Sequence, residues 1–146
     1  MKGQYVVLKE VITFAIGVSM VIGLAILTSN LLVPAVKDYV LSKEMENLLL
    51  YVDLNLVEAY TSTRGVSAVN ASYSVSMPDD LLGSLYRISF VGRELCLIPE
   101  EYPSEECLES SVPSDVSLSG SYVSGTDMLV SVSKDGGISI SISNPI

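Results

Sequence analysis

The chain opens with a long apolar run. From Val11 to Val36 no charged side chain occurs, and up to Val33 the only polar interruptions are Thr13, Ser19, Thr28, Ser29 and Asn30. As a helix rising about 1.5 Å per residue, Val11–Val33 is roughly 34 Å long, enough to cross a bilayer core of ~30 Å. A secretory signal has a shorter apolar region of roughly 7–15 residues, followed by small residues at a cleavage site. The sequence Leu31-Leu32-Val33-Pro34 is not such a site, so the run reads as a retained transmembrane helix. Pro34 lacks a backbone donor and is expected to bend or restart the helix near the membrane surface.

Beyond it, a second helical stretch is expected up to Gly65. Met45, Leu48, Leu49, Val52, Leu56, Ala59 and Tyr60 recur at helical spacing and form one stripe. Leu50, Leu54 and Val57 fall on nearly the opposite side, with Glu44, Glu46, Asp53 and Glu58 between the two stripes. A helix packed on one sheet needs a single apolar face. Two faces leave two readings open: a contact with another subunit through Leu50, Leu54 and Val57, or a domain that wraps most of the helix.

After Gly65 the period changes to two. Val69, Ala71, Tyr73, Val75 and Met77 alternate with Asn70, Ser72, Ser74 and Ser76, as in a half-buried strand. The stretch LYRISFVGRELCLI reads as a hairpin turning at Gly92-Arg93, with Phe90 opposite Leu95 and Ile88 opposite Leu97. That register gathers the apolar side chains on one face and sends Cys96 to the other. In MLVSVSKDGGISISIS, a three-residue loop Asp135-Gly136-Gly137 sets Val132 against Ile140 and Val130 against Ile142, with serines opposite serines. With SLSGSYVSG this makes about five or six strands, mostly antiparallel. The predicted class is α+β: a long N-terminal hydrophobic helix with an extension, then a small antiparallel β-sheet or sandwich ectodomain. The expected divisions are 1–10 as a short leader, 11–36 as the membrane helix, 37–64 as the helical extension and 65–146 as the β-rich domain.

Charge and cysteines sharpen this layout. The 146 residues carry a net charge of −9, and every acidic residue except Glu10 lies after Pro34. Nothing resembles a basic patch, so a nucleic-acid partner is not expected. Lys2 and Lys9 flank the short N-terminal side, which the positive-inside bias keeps in the cytoplasm. The remainder would then face outward as the ectodomain of a single-pass cell-membrane protein, extracellular or pseudoperiplasmic. There, Cys96 and Cys107, the chain's two cysteines, are expected to form a disulfide.

Candidate chemistry is sparse. The chain has no histidine, which removes the commonest general base and metal ligand. Two cysteines are too few for a structural zinc site, and no cofactor or metal is expected. Ser131-x-x-Lys134 matches a string found in some serine hydrolases, but there the serine begins a helix and here it lies in a strand. The acidic residues Glu94, Glu100, Glu101, Glu105, Glu106 and Glu109 lack the spacing of an established calcium loop and read as a solvated loop. Asn70-Ala71-Ser72 is a glycosylation sequon on the polar face of its strand. No enzymatic activity is expected.

Lys2-Gly3-Gln4 ahead of an apolar helix resembles the class III leader of archaeal type IV pilin-like proteins. The segment MPDDLLGSLYRISFVGRELCLI, with its Pro-led turn and Gly-turned hairpin, also resembles their ectodomains. The resemblance implies cleavage between Gly3 and Gln4 by a prepilin peptidase, with the apolar helix kept and packed in a filament core. Phe14, Gly17, Met20, Gly23, Leu24 and Leu27 would then be helix–helix packing positions. The partners implied are the membrane and other pilin-like subunits, in a homo- or hetero-oligomer. Family members commonly carry glutamate at the fifth position after the cut; here Leu8 stands there and the nearest acid is Glu10. That departure points to a minor or accessory subunit. The alternative expectation is an uncleaved, membrane-anchored β-domain protein of the envelope, or a stator-like component of an archaellum-type machine.

Overall fold

The structure, a computed structural model, describes residues 2–64, 70–134 and 136–145. It divides into two compact units, Met1–Val40 and Leu41–Ile146.

The first unit is helical. Helix α1 spans Lys2–Leu27, a π-helical turn follows at Thr28–Leu32, and α2 starts at Val33 and continues to Thr63. The hydroxyls that interrupt the apolar run all bond within the helix. Thr13 donates to the Lys9 carbonyl at 2.9 Å, Ser19 to Ala15 at 2.8 Å, Thr28 to Leu24 at 2.8 Å and Ser29 to Ala25 at 2.9 Å. Such back-bonding leaves none of these hydroxyls without a partner in a hydrocarbon surround. Pro34 does not end the helix. Instead the ladder widens just before it, with the Val33 N–H reaching back to the Thr28 carbonyl. A proline in a helix removes one N–H and crowds the carbonyl four residues earlier, and a π turn is a known way to absorb that conflict.

In the second unit, the later part of α2 lies on one face of a seven-stranded sheet. The strands are β1 (Asn70–Val75), β2 (Tyr86–Val91), β3 (Glu94–Pro99), β4 (Glu106–Glu109), β5 (Val116–Val123), β6 (Met128–Ser133) and β7 (Ile138–Ser143). Their spatial order is β1-β6-β7-β5-β2-β3-β4, antiparallel throughout except for the parallel β5–β7 pair. The fold class is therefore α+β, with seven strands rather than five or six, and the choice between sheet and sandwich falls to a single sheet backed by a helix.

Both anticipated hairpin registers are present. Phe90 faces Leu95 and Ile88 faces Leu97. Val132 faces Ile140, Val130 faces Ile142, and Ser131 faces Ser141. Asp135 in the second turn, and Gly65 and Val69 before β1, lie outside the described residues.

The core is the interface of these two layers. Leu41, Met45, Leu48, Leu49, Val52, Leu56, Ala59 and Tyr60, which include the whole anticipated stripe, are buried against inward-facing sheet residues such as Tyr86, Ile88, Leu97, Tyr122, Val130 and Ile142. Full burial of each large aliphatic side chain contributes about 1.5–3 kcal/mol. On the opposite face the registers align serines across four strands: Ser72 with Ser131, Ser131 with Ser141, and Ser141 with Ser119. The strict serine alternation is thus the solvent face of the sheet.

Local devices hold the ends. Gly120 has φ +103° and lies where an added Cβ would sit 2.1 Å from the Ile142 carbonyl oxygen, so β5 can pass β7 there only without a side chain. Past the end of β7, the Asn144 amide accepts from the Val123 N–H at 2.9 Å and donates to the Val123 carbonyl at 2.7 Å. A side chain thereby continues the backbone ladder. Between β1 and β2, Leu82 (φ 52°) and Gly83 (φ 81°) form a tight turn closed by Leu81 and Ser84. Asp80 accepts the Gly83 N–H at 2.8 Å, which helps hold Leu82 in a conformation that branched side chains avoid.

Candidate functional site

The surfaces that could engage partners are two apolar ones and a groove. The first is the long apolar helix. Lys9–Thr63 contains the one helix, among the described residues, that is long and apolar enough to cross a membrane. Its candidate packing positions Phe14, Met20, Leu24 and Leu27 are exposed apolar side chains, and Gly17 and Gly23 have open space where a Cβ would project. Gly3 and Gln4 both lie within α1.

The second surface belongs to α2. Leu54 is 67% exposed and Leu50 44%, and Tyr51 beside them is also exposed. Val57 does not join them. It is half-buried and packs on the core, so the anticipated partner face narrows to Leu50 and Leu54. Val57 lies one turn from the buried Asp53 and Tyr60, its neighbours at i−4 and i+3, and so sits at the edge of the covered side of the helix.

Asp53, which falls between the two apolar stripes, is 4% exposed. One carboxylate oxygen accepts the Ser110 hydroxyl at 2.8 Å, and both accept the Ser111 N–H, at 3.0 and 3.2 Å. The helix is thereby tied to the chain leaving β4. The signal available in the sequence was an acid with Leu49 four residues before it and Leu56 three after; its serine partners are 57 and 58 positions away.

A groove of about 350 Å³ opens between α2 and β1, walled by Asn55, Glu58, Ala59 and Ser62 on the helix and by Ala71 and Tyr73 on the strand. The Tyr73 hydroxyl donates to the Asn55 carbonyl at 2.7 Å and fixes one wall. Burial, with Glu58 nearby, pushes the Tyr73 phenol up to about 12. Nothing in the strand pattern marked this groove, because Ala71 and Ala59 become a gap only once helix and strand are apposed.

Cys96 and Cys107 face each other across β3 and β4 and form the expected disulfide. Glu94 lies beside it, its carboxylate and both sulfurs within 4.8 Å of one another. With the sulfurs bonded to each other, neither is a thiolate able to bind metal. Ser131 sits in β6 opposite Ser141, so the Ser-x-x-Lys string is part of the serine face and not a helix N-terminus. Asn70 is exposed at the start of β1, accessible as the sequon reading requires.

Residues 2–143 match the profile of a family of unknown function, DUF7266. The chain belongs to that family. No curated protein and no solved structure matches it. The DUF7266 match covers α1, α2 and the sheet alike, so the apolar N-terminal helix is part of the family pattern and not an appendage to it.

Proposed function

We propose that this DUF7266 chain is a structural subunit, minor or accessory, of an archaeal type IV pilus-like surface filament that assembles through its hydrophobic N-terminal helix. One observation carries the reading. Helix α2 buries a full apolar stripe on its own sheet and still exposes Leu50 and Leu54 on another side. Large apolar side chains exposed on a helix, on a chain that also has an exposed membrane-length apolar segment, favour lateral packing with other subunits. Lys2-Gly3-Gln4 supports entry through leader cleavage, and Lys2 and Lys9 support a cytoplasmic N-terminus with the sheet outside. A disulfide suits that oxidising side. The role is non-enzymatic: it lies in contact surface, not in a reacting group.

The direct test replaces Leu54 and Leu50 by lysine, singly and together, in the full chain in detergent. Self-association is expected to fall while the unfolding midpoint stays constant. Unchanged association would remove the basis of the proposal.

A second reading, a permanently anchored envelope or stator-like protein, is favoured by Leu8 standing where filament formers commonly carry glutamate. The N-terminal residue of protein from native membranes separates the two. Gln4 supports processing and filament entry, and intact Met1 supports the permanent anchor.

A further inference from the structure

The sheet has two edges, and they are built differently. The β4 edge is four residues long, carries Glu106 and Glu109, and is covalently bonded to β3 through Cys96–Cys107. Short length and charge are usual ways in which an edge is closed to further strands. The β1 edge has none of them. It runs six residues, Asn70–Val75, with the uncharged, proline-free sequence NASYSV, and among the described residues no strand pairs with its outer side. Alternate backbone N–H and C=O groups along that side form an open ladder.

Beside this open edge lies the groove between α2 and β1. A strand added to β1 would send every second side chain toward the helix layer, the side on which Ala71 and Tyr73 already lie. The open ladder and the groove are thus two halves of one slot. Glu58 is the charged residue that lines it, on a chain of net charge −9, so an acidic strand would be repelled and a basic side chain attracted.

We propose that the β1 edge accepts an extended segment of a partner protein, which adds as an eighth strand and sets a lysine or arginine against Glu58. Main-chain hydrogen bonds supply the affinity and the groove supplies the selection. A second copy pairing edge to edge fits less well, because NASYSV has no basic residue to meet Glu58. This site stands independently of the filament reading.

The test uses the full chain in detergent micelles and a capped heptapeptide in which serines alternate with valine, lysine and valine. Amide hydrogen exchange of Asn70–Val75 is expected to slow on titration with the peptide. Of two counterparts N-methylated on alternating residues, the one that blocks the β1-facing N–H groups is expected to lose binding. Glu58→Gln is expected to weaken the parent peptide about two- to fivefold, as for a partly exposed ion pair. No slowing in β1 at millimolar peptide overturns the proposal, as does equal binding by both N-methylated forms. Unchanged affinity in Glu58→Gln overturns the basic partner.

Discussion

Asp53 on α2 accepts the Ser110 hydroxyl at 2.8 Å, joining the helix to the loop that follows β4. Both residues are buried, at 4% and 7% exposure. A buried carboxylate is tolerated where hydrogen bonds replace its lost water, and here Ser111 supplies a further backbone donor. Asp53→Ala removes the acceptor and leaves these donors unsatisfied. It is expected to cost about 1–3 kcal/mol in denaturant unfolding, with Asp53→Asn costing less because one acceptor remains. Wild-type stability in Asp53→Ala would mean that water replaces the carboxylate.

Gly120 is expected to be the glycine least tolerant of substitution in the β-domain. At Gly120→Ala the new Cβ meets the Ile142 carbonyl at 2.1 Å in a backbone conformation that L-residues rarely adopt. The β5–β7 pair must then separate locally. A lowered unfolding midpoint and faster amide exchange at Ile140 and Ile142 are the expected results. Gly125→Ala serves as the control for positive φ alone (+106°), since nothing lies within 4 Å of its added Cβ.

Reduction of the disulfide is expected to destabilise the β-domain without abolishing its hairpins. The bridge closes a loop with a sequence separation of 11, for which the chain-entropy treatment gives roughly 2–3 kcal/mol. Cys96→Ser/Cys107→Ser should reproduce the loss in unfolding experiments under oxidising conditions, and a reductant should then have no further effect on the variant. An effect of reductant on the variant would point to chemistry elsewhere.

Stability is expected to fall at alkaline pH. Burial raises the phenols of Tyr73, Tyr86 and Tyr122; Glu58 adds to the effect at Tyr73, and the Tyr122 and Asp79 charges add to it at Tyr86. A folded-state value above the unfolded one means the native protein holds its proton more tightly. The contribution is complete below pH ~10 and is lost as pH rises from there. For Tyr73 the window runs from 10.0 to about 12. Thermal unfolding followed by circular dichroism should show a plateau below this window and a decline through it. Tyr73→Phe should flatten part of the decline while lowering the plateau by about 1 kcal/mol through the lost bond to Asn55. A decline identical to wild type would assign it to other groups.

The membrane-length helix, the buried stripe of α2, both hairpin registers and the disulfide were legible in the sequence. Each follows from a local rule: an apolar run of bilayer length, a period of 3.6, a period of 2, or an even pair of cysteines close in sequence. Serine alternating with Val or Ile leaves one workable register, because a slip by one residue would bury hydroxyls and expose the aliphatic side chains. Beyond these two hairpins, the sequence could not set which strands lie side by side. The order β1-β6-β7-β5-β2-β3-β4, with its parallel β5–β7 pair, joins segments through long-range packing that no neighbouring residue encodes. From that order come the burial of Asp53 against Ser110, the close pass at Gly120, and the open β1 edge beside Glu58. Periodicity says which way a side chain points; only the packed sheet decides what it meets.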